Sequence, residues 1–268
     1  MKRPVVVISS IVFLTLICNT GAKSQENIPP PSAQELHSSL TGATANTCPA
    51  DMVEITGDFC PEVVQNCTNL DRSVHNVNGY VRCLEYAATQ CLSKKTIPMH
   101  FCIDKYEWPN KEGEKPAIMV TWFDMKRNCE DNGKRICVDH EWSMACEGED
   151  IKPYPYGYKR DATACNIDHP QKPWFDASKT NMTMEIALKL DQRVPSGSME
   201  GCVSDYGVHD MTGNVDEWVV NSSGSPYVSG LMGGHWVKGA RNRCRPETLA
   251  HGPIFEYYAA GGRCCKSL

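Results

Sequence analysis

The sequence predicts an α+β protein with little regular secondary structure, held together by disulfide bonds. Three observations lead to this fold class. The 268 residues include 15 cysteines, and cysteine-rich chains of this kind are typical of oxidising compartments. Only two segments carry strong helical signals. After Gly148, glycine, proline and asparagine recur every few residues between short aromatic or β-branched pieces, so the loops need disulfides, ions or side-chain hydrogen bonds to fasten them.

The first 24 residues have the layout of a secretory signal peptide. Lys2 and Arg3 form a positive start, and an apolar run from Val5 to Ile17 follows. Small residues then predict cleavage after Ala22 or Ser24. We therefore expect the mature protein to lie outside the cytoplasm, either periplasmic or secreted.

Two other interpretations of this segment exist. The apolar run is shorter than the roughly 20 residues that a spanning helix needs, which disfavours a membrane anchor. Cys18 suggests a lipoprotein signal, but the bulky Ile17 stands where such signals carry a small residue. No other long apolar run follows, so we expect no membrane span after cleavage.

The cysteines predict a disulfide framework. Of the 15 cysteines, 14 remain once Cys18 is removed with the signal peptide, and the set is even. They are Cys48, Cys60, Cys67, Cys83, Cys91, Cys102, Cys129, Cys137, Cys146, Cys165, Cys202, Cys244, Cys264 and Cys265. A metal cluster is the alternative, but the Cys-x-x-Cys spacing of zinc and iron–sulfur sites is absent from the sequence.

Composition divides the mature chain into three parts. Residues 25–47 are rich in proline, serine and threonine and predict a flexible linker. Residues 48–92 are dense in cysteine and predict a small cross-linked subdomain, and residues 93–268 form the main domain. The formal net charge of -5 gives no electrostatic attraction for nucleic acid.

Helix signals are local. The first helix is predicted from Trp122 to Asn132, with Thr121 as N-cap, Asp124 as its capping-box partner and Gly133 as the left-handed stop.

The second helix is predicted from Asp139 to Glu147, ending at Gly148 and burying Trp142 and Cys146. A short third segment, Thr183 to Leu190, has a weaker helical period.

A turn at Gly213-Asn214 predicts a cation site. Asn214 and Glu217 lie three residues apart, and there a side-chain carbonyl and a carboxylate can point at one hard cation such as calcium. The alternative is that both side chains cap backbone groups.

Eight segments between residues 93 and 268 together carry a resemblance. They are Phe101–Glu107, Pro116–Trp122, Gly133–Trp142, Pro153–Gly157, Cys165–Asp168, Tyr206–Trp218, Gly233–Trp236 and Gly262–Cys264. In this order and spacing the chain resembles the formylglycine-generating enzyme, or sulfatase-modifying factor, family. That resemblance implies a variant of the C-type-lectin fold.

The resemblance also implies metal ligands. The family has a calcium site at its Gly-Asn-x-x-Glu-Trp turn, which corresponds to Asn214 and Glu217. A second calcium site would use the Asn166 side chain and the Ile167 backbone carbonyl, with Asp191 as the candidate acidic ligand.

Two disulfides follow from the same resemblance. The family's core pairs become Cys129–Cys264 and Cys146–Cys244 in this sequence. Adjacent Cys264 and Cys265 would point to opposite faces of a strand and so bond to different partners.

The copper ligands of the family's oxidases are missing. Those enzymes bind copper(I) through two cysteines, five residues apart, after a Gly-Gly-Ser segment. The corresponding positions here are Lys238 and Arg243, and His235 replaces the serine. Neither basic side chain can replace a thiolate, so we expect no copper and no copper-dependent formylglycine formation. Cys244 lies one residue beyond the second position, and the resemblance assigns it to a disulfide with Cys146.

Residues near the missing copper site suggest two other kinds of binding site. His235, Arg241 and Arg243 form a candidate cleft for an anion, although such a run is more often a solvated or salt-bridged loop. A metal held by His235, His251 and His209 is a further alternative.

These observations favour an exported binding or structural module, stabilised by calcium and disulfides, whose partner is an unknown protein or carbohydrate. The alternative is a copper- and oxygen-dependent oxidoreductase that modifies exported proteins. Two free thiols lying together in the main cleft would favour the enzyme.

Overall fold

The architecture comes from a computed structural model that describes residues 47–72, 82–172 and 182–268. The strands are β1 Met52–Phe59, β2 Val63–Val64, β3 Cys67–Leu70, β4 Cys83–Tyr86, β5 Gln90–Cys91, β6 Ile97–Asp104, β7 Arg135–Ile136, β8 Asp216–Val220, β9 Ser229–Met232, β10 Glu247–Thr248, β11 Ala260–Gly262 and β12 Cys264–Ser267. The helices are α1 Trp122–Asp131, α2 Asp139–Glu147 and α3 Met184–Leu190. This mixture of short strands and few helices in the described residues confirms the predicted α+β class. The predicted signal peptide, and the linker up to residue 46, lie outside the described residues.

Two four-stranded sheets organise these elements. The first has the order β1-β6-β12-β7 with antiparallel neighbours throughout. The second has the order β10-β9-β8-β11, in which β11 runs parallel to β8 and the other pairs are antiparallel. All residues of β8 except Val220 are buried, so its side chains face protein on both sides of the sheet.

The three helices begin and end where local signals predict. Helix α1 starts after Thr121, which forms a capping box with Asp124, and the left-handed Gly133 lies two residues beyond its last turn. Helix α2 spans the predicted residues and is followed by Gly148. Helix α3 is capped by Thr183. The helix predictions are therefore confirmed to within a residue.

Three tryptophans anchor the core. Trp142 of α2 is fully buried beside the residues of β1 and β6. Trp122 of α1 packs with Trp218 of β8, and its indole Nε1 donates to the Val219 carbonyl oxygen at 3.0 Å. Burial of such side chains contributes roughly 1.5–3 kcal/mol each to folding.

Disulfide bonds join all fourteen cysteines of the described residues. The pairs are Cys48–Cys102, Cys60–Cys91, Cys67–Cys83, Cys129–Cys264, Cys137–Cys265, Cys146–Cys244 and Cys165–Cys202. They include both pairs that the family resemblance implies. Adjacent Cys264 and Cys265 bond to different partners, as their alternation along β12 requires.

The cysteine-rich segment 48–92 contributes to the main sheet. Strand β1 pairs with β6 along its whole length: Met52 lies opposite Asp104 at one end, and Phe59 lies opposite Ile97 at the other. In the described residues, the cysteine-rich segment and the main domain therefore share one sheet. Among the described residues, no helix is long and apolar enough to cross a membrane.

Candidate functional site

Two adjacent acidic residues of β8 face different environments. Asp216 and Glu217 are each about 1% exposed, and alternation along a strand turns their side chains to opposite faces. Glu217 points into the closed interior, whereas Asp216 lines a cavity. Each carboxylate pairs with an arginine.

The Glu217 side is a sealed ion pair. The Arg263 guanidinium donates to both carboxylate oxygens of Glu217, each at 2.7 Å. The Trp142 indole Nε1 adds a third donor at 2.8 Å. Arg263 also donates to the backbone carbonyl oxygens of Asp104 and His209, so this fully buried guanidinium is held on several sides.

Further carboxyl groups surround this pair. Glu107 is buried and accepts hydrogen bonds from Ser196 Oγ at 3.0 Å and from Asn214 Nδ2 at 2.7 Å. Burial, with the nearby charges of Asp210 and Glu217, raises the pKa of Glu107 well above its usual value. Burial likewise raises the pKa of Asp210 to about 6.

Glu217, a calcium ligand expected at this turn, is bound by an arginine in the structure. Both of its carboxylate oxygens are engaged by Arg263, and a guanidinium repels a dication at the same oxygens. Asn214 Oδ1 faces two donors instead of a cation, the Asn166 amide at 2.9 Å and the Val194 backbone N–H at 3.0 Å. Calcium at Asn214 and Glu217 stays a prediction, and an ion bound there would have to displace these protein partners.

The second expected calcium site has a similar arrangement. Asn166 Nδ2 also donates to the Gln192 carbonyl oxygen at 3.0 Å, and Ile167 is buried behind the turn. Asp191, the candidate acidic ligand, binds Arg193 and Lys115. Burial alone would raise the pKa of Asp191, but these hydrogen bonds lower it to about 2. Calcium at Asn166 and Ile167, with Asp191 as the candidate acidic ligand, stays a prediction.

The close turn at Gly213 explains this packing. Gly213 has φ +85°, and a Cβ there would lie 2.4 Å from the Asn166 carbonyl oxygen. Only glycine allows the two segments to approach so closely. The Asn214 backbone N–H then donates to Asn166 O at 3.0 Å, which aligns the two asparagines.

The Asp216 side opens into a cavity of about 280 Å³. Its lining is polar at the base and aromatic at the wall. The residues that matter chemically are Asp216, His235, Arg241, His251, Phe255 and Tyr257. This is the part of the described chain where arginine, histidine, carboxylate and aromatic groups converge around open space.

The base of the cavity is an ion pair. Arg241 Nη1 lies 3.4 Å from Asp216 Oδ1, and Arg241 Nη2 makes a closer contact with the second carboxylate oxygen. Arg241 Nη1 also donates to the Leu231 carbonyl oxygen at 3.3 Å. The Arg241 side chain is 21% exposed and that of Asp216 is 2% exposed, so the pair is accessible from one side only.

His235 is the neutral member of the cavity. Its Nε2 lies 3.3 Å from the Tyr258 hydroxyl, and its ring meets Trp236 and Tyr257 edge-on, each with centroids 5.5 Å apart. Burial lowers the pKa of His235 to about 4. At neutral pH the imidazole is therefore uncharged.

Stacked rings form the cavity wall. His251 stacks on Phe255 with centroids 3.8 Å apart and an interplanar angle of 8°. Phe255 in turn stacks on Tyr257 at 5.9 Å and 19°. Burial lowers the pKa of His251 as well, so the wall is aromatic and favours the uncharged imidazole.

Arg243 does not belong to this cavity. It donates to Gln65 Oε1 at 2.8 Å and lies over the Tyr86 ring at 5.4 Å. Of the expected anion cleft, His235 and Arg241 line the cavity and Arg243 does not; anion binding by this set stays a prediction. His235 and Arg241 meet, but Arg243 fastens the cysteine-rich segment instead. His209 also lies elsewhere, beside Tyr106 with ring centroids 5.0 Å apart, so it does not join His235 and His251.

The two positions of the family's copper cysteines carry basic side chains. Lys238 is exposed, and its backbone N–H donates to the His169 carbonyl oxygen at 3.0 Å. Cys244 is bonded to Cys146 of α2.

Sequence reasoning missed the residues that complete both regions. Asp216, Phe255 and Tyr257 carry no motif, although the alternation of Asp216 with Glu217 along a buried strand is a usable signal. Glu107 and Arg263 lie in quoted segments, but their partners Asn214 and Glu217 lie 107 and 46 residues away, which no local pattern encodes.

Comparison with known proteins agrees with the fold. Residues 68–268 match the family described as sulfatase-modifying factor enzyme 1-like domain. The chain is 26% identical over 127 residues to inactive C-alpha-formylglycine-generating enzyme 2 of Bos taurus, covering 46% of this chain and 39% of the relative. It is 30% identical over 107 residues to the formylglycine-generating enzyme of Thermomonospora curvata, covering 38% of this chain and 32% of the relative. The chain thus spans well under half the length of the curated relatives it matches.

A solved structure shows the same fold at low identity. The crystal structure of CarF superposes with a TM-score of 0.52 and 14% identity, covering 82% of this chain and 99% of that protein. At this identity the likeness concerns the fold alone.

Proposed function

The chain belongs to the sulfatase-modifying factor family, whose domain matches residues 68–268, and on that premise we propose that it is a disulfide-stabilised binding module that does not form formylglycine by copper chemistry. One observation carries the proposal. Every cysteine that the structure describes is paired in a disulfide.

The chemistry of copper(I) supports this proposal. Copper(I) is selected by soft thiolate ligands, and a disulfide sulfur is a poor substitute. Lys238 and Arg243 stand where the family's oxidases have cysteines, and both are cations without a lone pair to donate. The bovine relative is named as an inactive enzyme, and we propose the same loss for this chain.

We place the module outside the cytoplasm. Seven disulfides in one chain suit an oxidising compartment, and the signal-like N-terminus supports the same location. The cavity beside Asp216 is the proposed binding site, because a concave site with a few convergent polar groups and an aromatic wall is typical of ligand pockets.

A peptide assay tests the loss of activity. Purified protein is loaded with copper(I) and incubated with a Cys-x-Pro-x-Arg peptide of the sulfatase type. We expect no conversion of the cysteine to formylglycine, measured as the mass change of the peptide. The Thermomonospora curvata enzyme, loaded in the same way, is the positive control.

Copper-dependent conversion clearly above a no-enzyme blank would overturn the proposal and favour the oxidoreductase. Thiol counting gives an independent test. Alkylation of the denatured, non-reduced mature protein is expected to label no cysteine, and labelling of two or more would contradict the fully paired state.

A further inference from the structure

We propose that the cavity lined by Asp216, Arg241 and His235 binds one ring of a neutral saccharide. The proposal rests on the binding function above and adds the chemical class of the ligand.

Charge excludes ionic ligands from this cavity. An anion would meet the Asp216 carboxylate, and a cation would meet the Arg241 guanidinium. The two groups already pair with each other, and separating them in a half-enclosed site removes a charge-assisted hydrogen bond. The imidazoles of His235 and His251 add no compensating charge, because burial favours their neutral forms. The cavity is therefore matched to a ligand without net charge.

Polar groups at the base exclude a purely apolar ligand. Arg241 and Asp216 keep one side open to the cavity, and a hydrocarbon seated there would strip their water without replacing its hydrogen bonds. A hydroxyl group donates to a carboxylate oxygen and accepts from a guanidinium at once. A ligand with several hydroxyl groups can therefore replace the displaced water.

The wall selects the shape of the ligand. His251, Phe255 and Tyr257 line one side of the same space, and His251 lies face to face on Phe255 with ring centroids 3.8 Å apart. Pyranose rings carry hydroxyl groups at their edges and a face of C–H groups, and this apolar face can pack against aromatic side chains. A neutral sugar therefore matches the polar base and the aromatic wall together.

Size limits what enters. The volume of about 280 Å³ lies at the lower end of the roughly 300–1,000 Å³ range of ligand pockets, which suits a single sugar ring.

A panel of saccharides tests the ligand class. Glucose, galactose, mannose, N-acetylglucosamine, cellobiose and chitobiose are titrated by saturation-transfer NMR, with glucuronate and protonated glucosamine as charged counterparts. We expect at least one neutral sugar to bind in the millimolar range, at least about tenfold tighter than either charged analogue. Absence of binding by every neutral sugar overturns the proposal, and so does tighter binding of glucuronate.

Matched variants locate the binding. Phe255→Leu keeps an apolar side chain but removes an aromatic ring from the cavity lining, so we expect the neutral sugar to bind at least fivefold more weakly. Phe123→Leu, at a 48% exposed aromatic residue of α1 outside the cavity lining, is the control and should bind as the wild type. Equal affinity of Phe255→Leu and wild type would place the sugar elsewhere and overturn the assignment.

The outcomes separate this inference from the proposed function. Displacement of the sugar by a short apolar peptide, with no weakening in Phe255→Leu, would identify a peptide site instead. Failure of all sugars together with a negative formylglycine assay rejects only the saccharide inference. Copper-dependent formylglycine formation rejects the proposed function whatever the sugars do.

Discussion

Asp216 and Glu217 are neighbours on one strand, but their side chains lie in two different environments. Each carboxylate is paired with an arginine, Glu217 with Arg263 and Asp216 with Arg241. The Arg263 side chain is fully buried, whereas that of Arg241 is 21% exposed. The same chemical pair therefore acts as an internal brace on one face of β8 and as the base of an open cavity on the other.

The two regions also differ in their charge balance. Glu217, Glu107 and Asp210 surround the single guanidinium of Arg263, which raises the pKa of Arg263 although burial alone would lower it. In the cavity, one carboxylate meets one guanidinium beside a neutral imidazole. The interior thus depends on its arginine far more than the cavity does.

Removing the Cys146–Cys244 bond should cause the largest loss of stability. The Cys146→Ala/Cys244→Ala variant loses a link across 98 residues, which the chain-entropy model values at about 4.7 kcal/mol. Urea unfolding measures the loss. Cys244 fastens the segment that carries Arg241, so saccharide affinity should fall in this variant. A Cys60→Ala/Cys91→Ala variant loses a link across only 31 residues. It should therefore lose less stability and keep the cavity.

Breaking the interior pair should be the next largest effect. Arg263→Met leaves Glu217 buried without its counter-charge, and breaking a buried pair in this way costs about 3–5 kcal/mol. Urea unfolding with and without a calcium chelator measures this cost. We expect the same loss in both conditions, because Arg263 engages both oxygens of Glu217. A loss that disappears on chelation would indicate calcium at Glu217 after all.

The matched change in the cavity should cost less. Arg241→Met exposes Asp216 to a half-open site where water can replace the lost partner, so we expect a loss of about 1–2 kcal/mol. Urea midpoints of the two methionine variants, measured side by side, give the comparison directly. Equal losses would mean that the cavity is as sealed as the interior.

Acid should have the most selective effect. Burial lowers the pKa of His235 from 6.5 to about 4. A group with a depressed folded pKa contributes stability that is complete above the unfolded value and is lost as pH falls through the folded value. The His235→Asn variant should therefore lose less stability than the wild type between pH 6.5 and pH 4, measured by urea midpoints across that range. Parallel pH profiles of variant and wild type would contradict a neutral buried imidazole.

Local features of the fold were predictable from sequence, and distant pairings were not. The Thr121 capping box and the glycine stops fix helix ends within a few residues of chain, so the sequence alone locates them. The Cys129–Cys264 and Cys146–Cys244 bonds followed from the family resemblance. The other five pairs did not, because the connectivity of an even cysteine set cannot be read from spacing alone.

The site shows the same limit. His235 and Arg241, two residues of the predicted anion cleft, line one cavity. Arg243 is close to them in sequence, yet its partner Gln65 lies 178 residues away. Glu217 matches a calcium motif, and Arg263, 46 residues further along the chain, donates to its carboxylate. In both cases the partner is a distant side chain that the local pattern does not indicate.

Strand β12 has a consequence for biosynthesis. It is the last strand in sequence, yet it lies between β6 and β7 in the middle of the main sheet. Cys129 and Cys137 are therefore translated long before Cys264 and Cys265, their partners across 135 and 128 residues. Until residues 264–267 are synthesised, these two thiols can form disulfides only with each other or with other cysteines translated early. A nascent chain that is oxidised too soon must reshuffle its bonds before the sheet can close, a process of seconds to hours that disulfide isomerases accelerate.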